Sequence, residues 1–289
     1  MAGLGRSIRR PAVAGAFYAA DPTQLRAQIE GAYVHRLGPG ALPGATAERR
    51  RLLKGLVVPH AGYLYSAPTA AHAYAALARD GLPQLAVVIG PNHTGLGASA
   101  SISPDYYRTP LGDPPIAADV ARDLVEGPGP HLCCFDRDAH LQEHSVEVQV
   151  PFLQHLGALL GDEVAIVPIV LRAQERRSAV RLGQEVAHAL EGSDAIVIAS
   201  TDFCHYLPKE EAVRRDRFAL ERIACLDVDG LYASLAEHDI SMCGYGPTAA
   251  TMTATKLMGA SSAQRLAYST SGDIVEMDEV VGYGALAIR

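Results

Sequence analysis

The chain has no apolar run that approaches the roughly 20 consecutive residues needed to cross a lipid bilayer. It also lacks a basic excess, because 25 Lys and Arg residues stand against 32 Asp and Glu residues, for a formal net charge of −7. Proteins that bind nucleic acid need concentrated basic surface to neutralise phosphates. The short run of Arg49, Arg50 and Arg51 fits a solvated lead-in to a strand. We therefore predict neither a membrane nor a nucleic-acid partner.

Cysteines are few, and familiar nucleotide-binding and nucleophile motifs are missing. The five cysteines, which include the adjacent Cys133 and Cys134, make a poor disulfide framework because their number is odd. Reduced thiols and a cytoplasmic location are the expectation. The sequence has no GxGxxG turn, no Walker A loop and no GxSxG elbow. These absences argue against dinucleotide binding, P-loop chemistry and an α/β-hydrolase triad.

The start of the chain imitates a secretory signal. Arg6, Arg9 and Arg10 precede the apolar segment PAVAGAFYAA, which ends in small residues. Pro11 and Gly15 interrupt that segment, and it is short. We therefore expect these residues to belong to the folded protein.

The 289 residues, 48% of them hydrophobic, read as strands alternating with helices. Short runs rich in Val and Ile predict buried strands at 56–58, 85–89, 164–171, 195–199 and 281–288. Helical spacing and capping residues predict helices at 68–78, 145–160, 176–190, 214–224 and 247–258. The alternation predicts an α/β fold with a central mixed, mostly parallel sheet flanked by helices. Glycine- and proline-rich stretches at 38–47 and 127–130 fit loops within one domain that spans residues 1–289.

Four histidines stand where an apolar run gives way to a polar turn: His60 in VVPHAGY, His93 in VVIGPNHTG, His144 in QEHSVEVQ and His205 in VIASTDFCHY. Ligands in open α/β sheets bind beyond the carboxyl ends of the strands, where these turns fall. Cys243 offers a thiol just before a predicted helix. Together these residues predict one metal or catalytic pocket, and their wide spacing suits a mononuclear metal with open positions better than a closed structural zinc site.

Each residue also has an ordinary structural explanation. A lone histidine at a strand end is more often a hydrogen-bonding residue than a ligand, so the argument rests on the recurrence. His140 stays undecided, and six other histidines fit surface or packing positions: His35, His72, His131, His155, His188 and His238.

The remaining candidates also have both a functional and a structural explanation. Asp202 could orient His205 or act as a base, or it could cap a helix. Glu143 could support His144 or compensate a helix dipole. The helix after Cys243 would lower the pKa of its thiol, whereas a buried, inert cysteine is the commoner case. Tyr63 could line a pocket for an aromatic substrate or serve as rim packing.

At these residues the chain resembles the Memo family, in order and over nearly its whole length. The matching motifs are RPAVAGAFY at 10–18, PHAGY at 59–63, GPNH at 90–93, YRTPLG at 107–112, EHSVE at 143–147, STDFCH at 200–205, CG at 243–244 and VGYGAL at 281–286. The resemblance implies a fold like that of the class III extradiol ring-cleaving dioxygenases, which hold non-haem Fe(II) with two histidines and a glutamate. It also implies that residues 10–18 are part of the folded protein.

Carried over by position, the resemblance assigns His60 and His93 as imidazole ligands and His205 as an acid or base. Cys243 stands where the dioxygenases have the glutamate ligand. Because a thiolate is softer than a carboxylate, copper or zinc becomes an alternative to Fe(II), and ring cleavage is called into question. Similar prokaryotic proteins are often encoded beside a radical-SAM enzyme and an Ammecr-domain protein, which implies a shared pathway.

Two hypotheses of different classes follow. In the first, the protein is a metal-dependent, dioxygenase-like oxidoreductase acting on a small molecule. His60, His93 and Cys243 are then ligands, His205 is the acid or base, Asp202 orients it, and His144, Glu143 and Tyr63 line the pocket. In the second, a non-catalytic binding or scaffold protein retains the pocket for a small-molecule or peptide ligand.

Overall fold

A nine-stranded mixed sheet forms the centre of the fold in a computed structural model that describes residues 7–44 and 49–289. Arg6 and residues 45–47 of the predicted loop lie outside the described residues. The strands, two of which form a separate pair, are β1 (Ile8–Arg9), β2 (Gly55–Val58), β3 (Leu85–Pro91), β4 (Ala100–Ile102), β5 (Tyr106–Tyr107), β6 (Cys133–Phe135), β7 (Ala165–Leu171), β8 (Ala195–Ser200), β9 (His205–Leu207), β10 (Ala263–Thr270) and β11 (Val280–Ile288).

The sheet runs in the order β10-β11-β2-β8-β3-β7-β4-β6, and β9 also pairs with β11. Its centre, β2-β8-β3-β7, is parallel. Antiparallel pairing of β11 with β2 and of β4 with β7 flanks this centre. A separate two-stranded parallel sheet joins β1 to β5. The predicted fold class, a mixed and largely parallel sheet, is therefore confirmed.

The central strands are apolar throughout because helices cover both faces of the sheet. In β3, Ala86 and Val88 pack on one face, whereas Val87 and Ile89 pack on the other. All five strand predictions coincide with observed strands, namely β2, β3, β7, β8 and β11. The short β4, β5, β6 and β9 and the outer β10 were not predicted.

Nine α-helices surround the sheet within the described part of the chain. They are α1 (Pro22–Val34), α2 (Tyr63–Asp80), α3 (Ala118–Glu126), α4 (Asp138–Leu141), α5 (Val150–Leu160), α6 (Arg176–Ala189), α7 (Lys209–Ala224), α8 (Val228–Glu237) and α9 (Tyr245–Leu257). α1, α2 and α5 pack on one face, and α3 and α6 pack on the other together with part of α9. None of these helices is both long and apolar enough to span a membrane.

The predicted helix at 145–160 is wrong in its first turn. A 3-10 turn at Glu147–Gln149 precedes α5, and Ser145 does not cap a helix. The hydroxyl of Ser145 donates instead to the carbonyl of Pro91 at 2.8 Å. This contact fixes residues 143–146 as an ordered loop over the end of β3. The difference matters because this loop carries His144.

Candidate metal centre

The carboxyl ends of three adjacent parallel strands build the site. β8 lies between β2 and β3, so the turns after these strands meet at one edge of the sheet. His60 follows β2, His93 follows β3, and Asp202 and His205 follow β8. The sequence prediction that these strand ends converge is thus matched by the topology.

Three imidazoles form the group that can hold a metal ion. One ring nitrogen from each of His60, His93 and His144 lies within 4.8 Å of the other two. The ring centroids of His93 and His144 are 4.6 Å apart and stacked, and His60 stands edge-on to both at 5.2 and 5.5 Å. Among the residues the structure describes, this is the one such group of His, Cys, Asp and Glu side chains.

Gly90 allows the loop that carries His144 to reach the site. A Cβ at position 90 would lie 2.3 Å from the hydroxyl oxygen of Ser145, which no real side chain tolerates. With glycine there, Ser145 crosses directly over β3, and His144 stacks on His93. The GPNH motif therefore supplies both a ligand candidate and the space for its neighbour.

The hydrogen bonds around His60 fix its tautomer. Its Nδ1 lies 3.0 Å from Ser200 Oγ. That hydroxyl donates to the carbonyl of Ser145 at 2.6 Å and accepts from Gln149 Nε2 at 2.9 Å. Because the hydroxyl proton is already used, Ser200 must accept from His60 Nδ1–H. His60 Nε2 therefore keeps its lone pair for a metal or a proton. Sequence reasoning missed Ser200 and Gln149, since both act only through tertiary contacts.

Glu143 orients the other two histidines. Its buried carboxylate accepts from His93 Nδ1 at 2.9 Å and from the backbone amides of His93, His144 and Ser145 at 2.5, 2.9 and 2.9 Å. His144 Nδ1 lies 3.5 Å from the same carboxylate. Burial opposes ionisation of Glu143, but the hydrogen bond and charge of His93 hold its pKa at about 2. With Nδ1–H of His93 donated to Glu143, Nε2 is the lone-pair nitrogen of His93 too.

Burial favours the neutral form of His60 and His144, which is the form that metal binding requires. Burial, followed by the charges of His144 and His93, lowers the pKa of His60 well below its ordinary value. Burial also lowers the pKa of His144. Neutral imidazole is the ligand form for zinc, copper and iron. The donor set therefore fits a divalent transition metal.

Cys243 lies beside this group. Its Sγ is 3.2 Å from His60 Nε2 and 3.2 Å from the backbone amide of Asp202. Cys243 is not a member of the group of three histidines whose ligand atoms all lie within 4.8 Å of one another. The expectation that the following helix lowers the pKa of this thiol is wrong, because burial and the charge of Asp202 raise it. The dipole at the start of α9 is outweighed by desolvation.

Asp202 and His205 lie close together, but Asp202 supports a different histidine than predicted. The Asp202 carboxylate accepts from the backbone amide of His60 at 2.8 Å. Burial raises the pKa of Asp202 to about 6 despite the hydrogen bonds from His60 and Ala61. His205 is held instead by Ser241, whose carbonyl lies 2.8 Å from its Nδ1. The chain turns away between the two residues, because β9 starts at His205 and pairs with β11.

Tyr63 and His140 have structural roles. Tyr63 is buried, contacts the rings of Tyr18 and Phe152, and donates its hydroxyl to the carbonyl of Val148 at 2.6 Å. His140 is fully buried between the hydroxyl of Tyr107 and a backbone carbonyl. The six histidines assigned to surface or packing positions are not members of the metal-binding group: His35, His72, His131, His155, His188 and His238.

Comparison with known proteins places the chain in a family. The family model described as "Memo-like protein" matches residues 9–287 of this chain. A MEMO1 family protein from Methanothermobacter thermautotrophicus is 46% identical over 97% of this chain and all of its own length. A MEMO1 family protein from Methanopyrus kandleri is 45% identical over 97% of this chain and 99% of its own. The chain therefore belongs to the Memo family, as the motifs predicted.

A solved structure supports the fold. The crystal structure of an uncharacterized protein from Escherichia coli K12 superposes with a TM-score of 0.52 at 15% sequence identity. The match covers 82% of this chain and 100% of the other. The architecture is consistent with the dioxygenase-like fold that the family resemblance implied.

Proposed function

We propose that the protein binds one transition-metal ion through His60, His93 and His144 and uses it in oxidoreductase chemistry on a small molecule. One observation carries the proposal. The hydrogen bonds of Ser200 and Glu143 occupy Nδ1 of His60 and His93, which leaves Nε2 as the lone-pair nitrogen of both rings in a group of three histidines whose ligand atoms lie within 4.8 Å of one another. Such second-layer support is typical of metal-ligating histidines.

Fe(II) is the metal we favour, with copper or zinc as alternatives. Three neutral imidazoles suit all three metals, and a nearby thiol shifts the preference toward the softer copper and zinc. Cys243, at 3.2 Å from His60 Nε2, is an additional donor at the same pocket. When bound, a metal of this kind supplies Lewis acidity and, for iron or copper, redox chemistry.

His205 is the acid or base of this proposal. Its Nδ1 lies 2.8 Å from the carbonyl of Ser241, so the ring is oriented with Nε2 free for proton transfer. Asp202 holds the His60 turn through the amide of His60 and positions the ligand rather than the base. Substrate would enter from the side of the exposed turns, and the buried carboxylates behind the rings hold the imidazoles in place.

Metal analysis of anaerobically purified protein tests the proposal. We expect near-stoichiometric iron or copper in the native chain and its loss in a His60→Ala, His93→Ala double variant. Oxygen uptake with catechols then tests the chemistry, using His205→Gln as the variant that keeps the metal. Absence of metal from both proteins after anaerobic Fe(II) loading would contradict the metal centre.

A second candidate is a non-catalytic binding protein that retains the pocket. The thiol of Cys243 in place of a carboxylate ligand favours it, since this change alters the redox properties of a bound metal. A small-molecule or peptide ligand would then be the partner, and a radical-SAM enzyme and an Ammecr-domain protein would share its pathway in the cytoplasm. A pulldown whose captured partner survives His205→Ala supports this candidate. A partner lost with the His205 ring argues against it.

A further inference from the structure

Among the residues that the structure describes, Arg9 is one of the largest fully buried side chains and is only 1% exposed. All three of its nitrogens are used. Nε donates to the carbonyl of His140 at 2.7 Å, one terminal nitrogen donates to the Glu147 carboxylate at 2.5 Å, and the other donates to the carbonyl of Glu143 at 2.6 Å. Its guanidinium also lies over the ring of Tyr107, 4.4 Å from the centroid. A guanidinium group, with five N–H donors in a fixed planar arrangement, is needed to hold three such acceptors at once.

Glu147 ties the N-terminal segment to the same place. Its carboxylate accepts from the backbone amides of Ala12 and Val13 at 2.7 and 3.1 Å and from the hydroxyl of Tyr18 at 2.5 Å. With Arg9, this makes four donors on one fully buried carboxylate. The contacts join positions 129 to 138 residues apart in sequence, so the segment from 9 to 18 is fixed against the loop from 140 to 147.

That loop carries the residues that define half of the metal centre. The carbonyl of Glu143 is bound by Arg9, while the carboxylate of Glu143 holds His93 and the backbone of His144. Phe17, from the clamped segment, stands edge-on to the His144 ring at 4.8 Å. A path of direct contacts therefore runs from Arg9 to two imidazoles of the centre.

We infer that Arg9 is a positioning residue of the metal centre, acting through Glu143 on His93 and His144. It touches no imidazole of the group, and its effect comes from fixing where the Glu143 carboxylate lies. The effect on metal affinity rests on the proposed function. The effect on the rings does not, because it acts on the hydrogen bond from His93 Nδ1 to Glu143 and not on a metal.

The charge of Arg9 is also required beside Glu147. Removing one partner of a buried ion pair leaves an uncompensated charge, which destabilises a protein strongly, whereas removing both charges is often tolerated. Arg9→Met alone is therefore expected to unfold part of the population. The double variant Arg9→Met, Glu147→Gln removes both charges and still takes away the donor on the Glu143 carbonyl.

The test uses metal-free protein labelled with ¹⁵N in histidine. Long-range proton–nitrogen NMR spectra report which ring nitrogen of His93 carries the proton. In the native chain we expect the Nδ1–H form. In the double variant we expect a mixture of the two forms at His93, with His60 unchanged, because the Ser200 hydroxyl, held in turn by Gln149, accepts from that ring.

Titration with Co(II), followed by its visible absorption, gives the second readout. Changing the outer partners of a metal ligand typically lowers affinity by about 10- to 100-fold. Since Arg9 acts one contact further out, we expect a loss of about tenfold in the double variant. The single variant Arg9→Lys keeps the positive charge but not the planar fork of donors. It should lose less Co(II) affinity than the double variant.

Two matched controls lie at the other end of α2. Asp80 is a buried carboxylate that accepts from two consecutive amides, those of Leu52 and Leu53, as Glu147 does from two others. Arg51 pairs with Asp194 and donates to the carbonyl of Gly81. Asp80→Asn and Arg51→Met should lower the unfolding temperature without changing the His93 spectrum or the Co(II) absorption.

The two readouts separate the inference from the proposed function. An unchanged His93 tautomer in the folded double variant would overturn the role of Arg9, whatever the metal does. Equal changes in the Asp80 and Arg51 controls would overturn it as well, by showing a general loss of stability. A changed tautomer with no Co(II) binding, even by the native chain, would support Arg9 as positioning residue and reject the metal centre.

Discussion

The two halves of the metal centre are held by different chemistry. The ring of His60 is fixed by a neutral group, the hydroxyl of Ser200, which the side-chain amide of Gln149 holds in turn, while the Asp202 carboxylate holds only the backbone amide of His60. His93 and His144 are fixed by an ionised carboxylate, that of Glu143. Charged hydrogen bonds are roughly twice as strong as neutral ones. The ring of His93 is therefore the more rigidly oriented.

The charged half also needs more of the chain to support it. Glu143 sits on a loop, and the loop is fixed by Arg9 and Glu147, which come from distant parts of the sequence. The His60 half is built on β2 and β8, which are adjacent strands of the sheet. The ring of His60 is thus oriented by a neutral partner on an adjacent strand, whereas the ring of His93 and the loop that carries His144 are held through the buried charges of Glu143, Arg9 and Glu147.

Removing a candidate metal ligand from either half of the metal centre should have the largest effect on metal affinity. His144→Ala is expected to lower metal affinity by more than about 100-fold, beyond the range of changes to outer partners. Cys243→Ser should lower it by about tenfold, because the thiol contacts only His60 of the three histidines. Competition with a coloured chelator measures both. The reverse order would make Cys243, rather than His144, the third ligand.

Changing the outer partners tests the asymmetry itself. Glu143→Gln should lower metal affinity by about 100-fold, since an amide cannot accept from all the donors that converge on the carboxylate. Ser200→Ala should lower affinity by about tenfold, because the Asp202 carboxylate still holds the backbone amide of His60. Isothermal titration with Zn(II) compares the two variants. Equal losses would show that charge does not distinguish the halves.

Acid should weaken the support of the charged half through His140. Burial lowers the pKa of His140 to about 4 in the folded protein, below its ordinary value of 6.5. Between these two pH values the unfolded chain binds a proton at His140 that the folded protein does not bind. The stability that neutral His140 contributes is therefore fully present above pH 6.5 and is lost as the pH falls toward 4. The loss from this residue is at most about 3 kcal/mol.

Urea unfolding of metal-free protein at pH 7 and pH 4.5 measures this loss. His140→Gln, which keeps a donor for the carbonyl of Ser101, should show a smaller fall in the free energy of unfolding than the native chain. An identical fall in both proteins would assign the acid sensitivity to other groups.

The smallest effect is expected at Tyr206, which follows His205 on the His60 side. Tyr206 has a φ of +57° and is 73% exposed, and it is the extra residue where β9 bulges against β11. A left-handed conformation is strained for tyrosine and ordinary for glycine. Tyr206→Gly should raise the free energy of unfolding by up to about 1 kcal/mol. Tyr206→Ala is the control, because it removes the ring but keeps the strain. Equal effects would locate the change in the ring.

The sequence predicted the parts of the site that depend on strand ends. Val- and Ile-rich runs located β2, β3 and β8, and the polar turns after them located His60 and His93. The short edge strands were missed because runs of two or three residues carry little periodic signal. α1 was missed although Asp21 caps it, since its apolar face is narrow.

The supporting contacts were beyond reach of the sequence. Arg9 read as part of a basic start, yet it is buried against residues more than 130 positions away. Cys243 could be an activated thiol or a buried, inert one, and the sequence does not decide between them, because the following helix is visible locally whereas burial of the thiol depends on the whole fold. The sequence predicted His144 as a pocket residue and not as a metal ligand. Its position beside His93 depends on a loop that reaches the site only because Gly90 leaves space for it.

X-ray absorption spectroscopy of the Zn(II)-loaded protein tests the central claim most directly. We predict a first shell dominated by nitrogen at about 2.0–2.1 Å, with the outer-shell scattering of imidazole rings, which His144→Ala reduces. A first shell of oxygen alone, without imidazole scattering, would contradict a centre built from His60, His93 and His144.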